Sequence, residues 1–316
     1  MPGNKLMRNI SDCAFILVNY NTGKYLFDFL DFLSSSSLPF TYRVIVVDNN
    51  STDGSVERLI ERGGVQLIRN ADNLGYAKAV NMGIDAGKNE CRYLCVLNTD
   101  LELDERTLRS LWSFMEANPG AQICSPVIYS SNGKVQGFFF KLSPLLLHMD
   151  FIKTIYSSLM KGVIARLKRP IDVDGVAGTF LFFRSKLVKP GERFFDEDYF
   201  FYFEDADLAL RLKKAGIRTY IVPDSRVVHF GSPTDVEFHW RLFYRNKYLF
   251  LEKNYGHVHS GLAQTMDRWK ARSKFLKYAL LKHVYPSKRT FAKFGHYKDM
   301  AARLEEIKLG FSPDGK

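Results

Sequence analysis

Residues 43–50 read RVIVVDNN, and this stretch decides the fold. Four successive β-branched residues, Val44 to Val47, form an unbroken apolar run of strand length. Without polar alternation, such a run predicts a strand covered on both faces. It stops at Asp48-Asn49-Asn50, residue types that favour turns. The same design recurs on either side. Residues 13–19 (CAFILVN) run into Asn19-Tyr20-Asn21, and residues 92–97 (RYLCVL) run into Asn98-Thr99-Asp100, with a further short run at 65–69 (VQLIR). Helix-like stretches fill the intervals at 23–33, 52–62, 74–87 and 104–117. Each starts near a cap or turn signal (Thr22-Gly23, Ser51-Thr52-Asp53, Asn73, Asp104), and Pro119-Gly120 closes the last. Strand–helix alternation at this spacing predicts right-handed crossovers and a doubly wound α/β sheet, mostly parallel. The carboxyl ends of parallel strands share one edge, where ligands bind. Three polar strand endings are therefore expected to converge on one crevice.

The second half is less regular. Residues 138–170 mix apolar residues with a basic end, as either an amphipathic insertion or helices packed on the core. Residues 173–183 (VDGVAGTFLFF) read as a strand entered through a glycine turn. Residues 204–215 read as a helix stopped by Gly216, with a strand at 217–222. Asp100 places a carboxylate just beyond a buried strand, suited to a hard divalent cation that keeps positions open for phosphate and water. At 203–208 (FEDADL), three carboxylates crowd the start of a helix, whose positive terminus offsets part of their repulsion. That cluster is either acidic capping or a general base on a rigid element. His229 becomes a metal ligand only if the fold brings it to Asp100. The run Arg245-Asn246-Lys247 suits either a phosphate or a solvated helix face.

Composition sets the class. The 316 residues are 46% apolar, enough for a substantial core, which excludes a disordered or fibrous chain. Four scattered cysteines make no disulfide framework and no zinc pattern, so buried thiols are expected. The first residues lack the apolar region of a secretory signal, and no apolar run is long enough to span a bilayer. The expectation is a soluble protein in a reducing compartment. The net charge of +11 is uneven. Residues 240–316 hold 17 Lys+Arg and 6 Asp+Glu, a net of +11, which leaves 28 of each sign in residues 1–239. Aromatic residues interleave this basic tail. A solvated helical face, an anionic membrane surface and nucleic acid all accept such a segment; no nucleic-acid recognition motif accompanies it.

Taken in order, VNYN (18–21), VVDNNSTDGS (46–55), NLGYAKAVNMGI (73–84), LNTD (97–100), GVAGTFLFFR (175–184), FYFEDADLALRLKKAG (201–216) and VVHFGS (227–232) resemble the inverting glycosyltransferases of family 2, and among them the bacterial rhamnosyltransferase-like members. The resemblance covers residues 13–250. It implies the nucleotide-sugar-binding GT-A fold over residues 1–250, followed by a basic, aromatic-rich helical extension over 251–316. It implies that Asp48 contacts the base or ribose beside Asn19 and Tyr20, and that Asn73, Gly75 and Asn81 border the nucleotide. Asp100 matches the last carboxylate of the family's Asp-X-Asp signature, whose first position here is Asn98. Asp205 matches the catalytic base and His229 a metal ligand, for Mg²⁺ or Mn²⁺. Glu204, Trp240 and Arg245 lie where acceptor or diphosphate contacts are expected.

The implied reaction moves a sugar, rhamnose first, from dTDP-rhamnose or a UDP-sugar to a saccharide or lipid-linked acceptor in cell-surface polysaccharide (O-antigen or capsule) synthesis. The implied place is the cytoplasm, at the inner face of the plasma membrane. Galactose, glucose and galactofuranose are the alternative sugars. A pyrophosphorylase would need a Gly-rich, basic loop after strand one, where Asn19-Tyr20-Asn21-Thr22-Gly23 stands instead. A silent sugar-nucleotide-binding module could dispense with Asp205. A basic nucleic-acid-binding protein is the rival from outside enzymology; no nucleic acid is expected.

Overall fold

In β1 (Ser11–Asn19), Cys13, Phe15 and Leu17 point to one side of the sheet and Ala14 and Ile16 to the other, all five without exposed surface. The two-residue period of a strand thus feeds two cores. β2 (Tyr42–Asp48) repeats the division with Val44 and Val46 against Ile45 and Val47. One core takes apolar residues of α1 (Gly23–Ser35) and, further along the chain, α4 (Glu105–Ala117). The other takes Val80 and Ile84 of α3 (Tyr76–Gly87), and Leu208 and Leu212 of α6 (Glu204–Lys214). The outcome is a sheet between two helical layers, as the unbroken apolar runs require.

The structure is a computed structural model that describes residues 11–136, 138–139, 150–231 and 236–307. The remaining elements up to residue 229 are α2 (Ser55–Arg62), β3 (Gln66–Arg69), β4 (Cys91–Leu97), β5 (Leu101–Glu102), β6 (Ile123–Ser130), β7 (Val135–Gln136), β8 (Phe138–Phe139), α5 (Asp150–Ala165), β9 (Ile171–Val173), β10 (Gly175–Val176), β11 (Phe180–Arg184) and β12 (Thr219–His229). The main sheet runs β3-β2-β1-β4-β11-β6-β12-β5. Strands β1 to β4 pair in parallel, as does β6 with β12, while β11 runs antiparallel between β4 and β6. Two antiparallel steps restore direction, so the carboxyl ends of β12 and β4 lie at one edge. The order reverses at β1 and β4, which makes their shared carboxyl edge a topological switch point.

Two local readings change. The strand expected over 173–183 is broken into β9, β10 and β11, which pair with different strands (β12, β8, and β4 with β6). Residues 177–179, between β10 and β11, turn their backbone groups toward other partners. The strand expected at 217–222 continues to His229 through an irregularity at 223–225. Pro223 cannot donate to a ladder, and the Ser225 hydroxyl donates instead to the Thr107 carbonyl of α4 at 3.0 Å. Of the stretch 138–170, residues 140–149 lie outside the described residues, as does Ser232. All four cysteines are free and buried.

The chain divides into two compact units. The first comprises Met1–Leu142, Tyr156–Phe200 and Glu204–Pro233, and the second Ser143–Ile155, Phe201–Phe203 and Thr234–Lys316. The second unit holds α7 (Val236–Tyr255), α8 (His257–Val284) and α9 (Lys288–Glu306). Helix α7 runs through residue 250. Helices α8 and α9 form a hairpin, with the Tyr278 and Tyr297 rings stacked at 5.5 Å and Arg268 Nε donating to the Leu304 carbonyl at 3.1 Å. Among the described residues, no helix is long and apolar enough to cross a membrane.

Candidate active site

The polar ends of β1 and β2 are knitted together. Asn19 is fully buried, and the two hydrogens of its amide are shared among Asp48 Oδ1 at 2.8 Å, Ser51 Oγ at 3.0 Å and Ser55 Oγ at 2.7 Å. Asp48 Oδ2 accepts the Ser51 N–H at 3.0 Å. Two of the carboxylate's four or so acceptor positions are thereby used, and the rest stay available. Tyr20, next in the chain, is about half exposed. Asn49 then reaches the following loop, donating to Asn73 Oδ1 at 3.2 Å and to the Gly75 carbonyl at 3.1 Å.

Gly75 sits at φ +85°, and a Cβ there would stand 2.6 Å from the Phe200 carbonyl oxygen. Only glycine allows that approach. The Tyr76 N–H then donates to the same carbonyl at 2.7 Å, fixing the start of α3 against the segment that leads to α6. Asn81 is engaged differently. Its two amide hydrogens go to the Phe195 carbonyl at 2.8 Å and Glu197 Oε1 at 3.0 Å, and its oxygen accepts the Phe195 N–H at 2.9 Å. Asn81 is a buried brace between α3 and the 194–197 segment.

Asp100 and His229, 129 residues apart in sequence, meet with Oδ2 and Nε2 at 3.3 Å. The Phe230 N–H donates to the Asp100 carbonyl at 3.1 Å, and β5 pairs with the end of β12, so the backbone itself holds the two side chains together. The other ring nitrogen of His229 lies 3.3 Å from Gln136 Nε2. Adjacent ligands of an octahedral ion held at 2.0–2.1 Å are about 3 Å apart. This oxygen–nitrogen pair therefore fits two neighbouring corners of one divalent cation. No set of three or more His, Cys, Asp or Glu residues is placed for a metal among the described residues. A cavity of about 600 Å³ lies between α1 and residues Thr99, Leu101, Glu102 and Phe230; neither Asp100 nor His229 lines it.

Asp205 stands in the first turn of α6, with Glu204 and Asp207. Asp207 is accounted for by Arg211, whose Nε donates to it at 2.7 Å. Glu204 is almost fully buried. Asp205 accepts the Gly178 N–H on Oδ2 at 3.1 Å and the Ala206 N–H on Oδ1 at 2.7 Å. Burial pushes its carboxyl above the usual carboxylate range, against the pull of those backbone donors. The broken stretch 177–179 is the hub: Gly178 holds Asp205 through its N–H, its carbonyl accepts the Tyr76 hydroxyl at 3.0 Å, and the Thr179 carbonyl accepts the Asn98 N–H at 3.0 Å. Burial, followed by the charges of Glu204, Asp205 and Asp100, raises the Tyr76 phenol well above its ordinary value. Tyr76 thus lies in the field of all three carboxylates, keeps its proton and serves as a hydrogen-bond donor.

Asp48, Asp100, Asp205 and His229 accordingly belong to one unit and one end of its sheet. Tyr76 and Gly178 escaped the reading of candidate residues, although both sit in quoted motifs. Trp240 and Arg245 belong to the second unit. There Trp240 packs against Tyr244 in the helical core, and Arg245 Nη1 donates to Asn246 Oδ1 at 2.7 Å. Asn246 is fully buried and its amide donates to the carbonyls of Phe201 and Tyr202, while Lys247 is buried against Asp267 at 2.7 Å. The phosphate role considered for Asn246 and Lys247 does not fit side chains so enclosed and engaged.

Comparison with known proteins places the chain among glycosyltransferases. The chain is 28% identical over 296 residues to an N-acetylglucosaminyl-diphospho-decaprenol L-rhamnosyltransferase of Mycobacterium tuberculosis, covering 85% of this chain and 91% of that one. It is 26% identical over 236 residues to the rhamnosyltransferase WbbL of Escherichia coli K12, covering 72% and 87%. Among solved structures, the mannosyltransferase PcManGT of Pyrobaculum calidifontis, in complex with GDP-Man and Mn²⁺, superposes with a TM-score of 0.54 at 17% identity, covering 93% of this chain and 86% of that one. GalNAc-T7, with UDP, GalNAc and Mn²⁺, gives 0.58 at 14% identity over 95% of this chain, which spans only 59% of that protein. These likenesses establish the GT-A fold. The model of glycosyl transferase family 2 matches residues 14–190, from the first strand past the Gly178 hub, and the chain belongs to that family.

Proposed function

We propose that this glycosyltransferase is an inverting rhamnosyltransferase, using dTDP-rhamnose as donor and a hydroxyl of a lipid-linked saccharide as acceptor, at the inner face of the plasma membrane. The observation that carries the reading is the meeting of Asp100 and His229 at 3.3 Å, on the sheet edge that Asn19 and Asp48 close. The names of the two curated relatives support rhamnose, and the mycobacterial relative's name supports an acceptor carried on a lipid diphosphate.

In this reading Asp48 and the Asn19–Tyr20 strand end hold the nucleoside, with the loop from Asn73 to Gly75 beside them and Asn98 next to the diphosphate. Asp100 and His229 hold a divalent cation, which supplies neutralisation of the charge that develops on the departing diphosphate. Asp205 takes the proton of the acceptor hydroxyl. As that O–H bond breaks, the oxygen forms a bond to the anomeric carbon, and the bond to the diphosphate breaks with its electron pair leaving on phosphate oxygen. Attack opposite the leaving group inverts the carbon. Gly178 fixes the direction of the base, and its raised pKa brings it nearer the working pH, where a general base is most effective.

The test is a donor panel (dTDP-rhamnose, UDP-galactose, UDP-glucose, UDP-galactofuranose) read by nucleoside diphosphate release with Mg²⁺, Mn²⁺ or EDTA, and by NMR of the product's anomeric configuration. The expected result is metal-dependent release from dTDP-rhamnose with inversion. Release from a UDP-sugar alone would replace the sugar assignment, and a retained configuration would overturn the mechanism.

A further inference from the structure

Helix α8 has a buried face of small and polar residues and an exposed apolar one. The inner face, with Ser260, Ala263, Asp267 and Ala271, is buried in the second unit. On the opposite side stand Val258, Leu262, Trp269, Leu276, Leu280 and Val284, each between 49 and 82% exposed. At 100° per residue these six fall within a sector of about 80°, and at 1.5 Å per residue they extend over about 39 Å. Isolated exposed apolar residues are ordinary, whereas a contiguous stripe of this length marks a surface that meets something.

The charges on the helix say what it meets. Residues 257–284 carry six Lys+Arg (Arg268, Lys270, Arg272, Lys274, Lys277, Lys282) and one acid, Asp267. That acid is buried against Lys247 and does not reach the surface. The stripe is flanked by Lys270, Arg272 and Lys277, with Arg272 paired to Glu305. Arg268, Lys274 and Lys282 turn to α9, where they meet the Leu304 carbonyl and the Tyr297 and Phe294 rings. An aromatic ring, Trp269, lies within the stripe, and the exposed Tyr285 follows at its end. This is the composition of a helix that lies in the headgroup layer of an anionic bilayer. A second copy of the same face would bring two such arrays of cations together. A nucleic acid would take the cations and leave the stripe in water.

We propose that the outer face of α8 is a docking surface for anionic phospholipid, with the six apolar side chains entering the interface and the flanking lysines and arginines on the headgroups. The inference rests on the lipid-linked acceptor reading only for the presence of a membrane nearby; the surface itself is argued from the helix.

The experiment uses the full chain and vesicles of phosphatidylcholine, with and without phosphatidylglycerol, in a flotation assay. A triple variant, Trp269→Ser/Leu276→Ser/Leu280→Ser, changes only exposed positions, and its fold is checked by thermal melting. Expected results are binding to the anionic vesicles alone, weakened by high salt, and at least about a thirtyfold weaker association for the triple variant. A blue shift of tryptophan emission on binding should vanish in Trp269→Phe. Equal binding by the triple variant, or equal binding to neutral vesicles, would overturn the proposal. So would a dimer that the triple variant converts to monomer without vesicle binding. Nucleoside diphosphate release toward a water-soluble acceptor should be unchanged in the triple variant, so a failed donor reading and a failed docking reading give different results.

Discussion

Tyr76→Phe removes one oxygen atom and tests whether the hub at Gly178 positions the base. The ring remains, so no cavity forms, and the loss is the 3.0 Å hydrogen bond to the Gly178 carbonyl. One such bond is worth about 1 kcal/mol net. Gly178 is buried, so part of the desolvation penalty of its unpartnered carbonyl adds to this, and the total is about 1–2 kcal/mol. In a protein of 316 residues that lowers Tm by roughly 1.5–3 °C. A merely structural tyrosine would do no more. The same peptide unit, however, donates its N–H to Asp205 Oδ2 at 3.1 Å. Loosening it misaims the carboxylate, for which about a tenfold fall in kcat is expected, with donor binding within about twofold of wild type. Weakening a donor to the carboxylate also raises its pKa, so the acid limb of the pH–rate profile should move to higher pH. Steady-state kinetics over a pH series, with a melting curve, read all three effects. A normal kcat together with an unmoved limb would refute the positioning role, whatever happened to Tm.

Three further outcomes follow from particular contacts. Gly75→Ala places a methyl 2.6 Å from the Phe200 oxygen at a φ of +85°, so a loss of at least about 3 kcal/mol by urea unfolding is expected; a loss under 1 kcal/mol would mean that the turn can open. In the second unit, Asp267→Ala leaves Lys247 buried without its partner and should cost about 3–5 kcal/mol. Lys247→Met should cost less, because Lys270 Nζ still lies 3.8 Å from Asp267; the reverse order in chemical denaturation would contradict the pairing. Finally, in the proposed mechanism Asp205 works as a carboxylate, so kcat/KM should fall as pH drops through its raised pKa, with the limb above the ordinary aspartate value of about 3.9. The sign for stability is opposite: the folded state binds this proton more tightly, so the group's contribution is greatest below about 3.9 and is lost as pH rises through the folded pKa. A limb at or below the ordinary value in the rate profile would argue against burial of the base.

Much of the sheet was legible because strands buried on both faces leave unbroken apolar runs. Residues 13–19, 43–48 and 92–97 became β1, β2 and β4 with shifts of a residue or two. The approach of Asp100 to His229 was foreseeable only as a condition, since it depends on β12 running parallel to β6 and reaching the edge where β4 ends. What escaped was backbone traffic. The turn at 177–179 interrupts a stretch whose side chains read as strand, because its carbonyls and N–H groups serve Tyr76, Asn98 and Asp205, partners from 27 to 102 residues away. Tyr76 lies in a stretch read only as helix, and what it holds follows from where its hydroxyl ends. Asn81 shows the converse: a polar residue expected to border the nucleotide is engaged by the 194–197 segment, through the Phe195 backbone and the Glu197 side chain.

The most direct test is single-turnover transfer by Asp205→Asn at saturating donor and acceptor, with donor affinity measured separately by calorimetry. A carboxylate base contributes about 10²–10⁴-fold, so transfer should fall by that factor while the donor Kd stays within about threefold. Transfer at a near-normal rate, or a comparable fall in donor affinity, would contradict the assignment of Asp205 as the base.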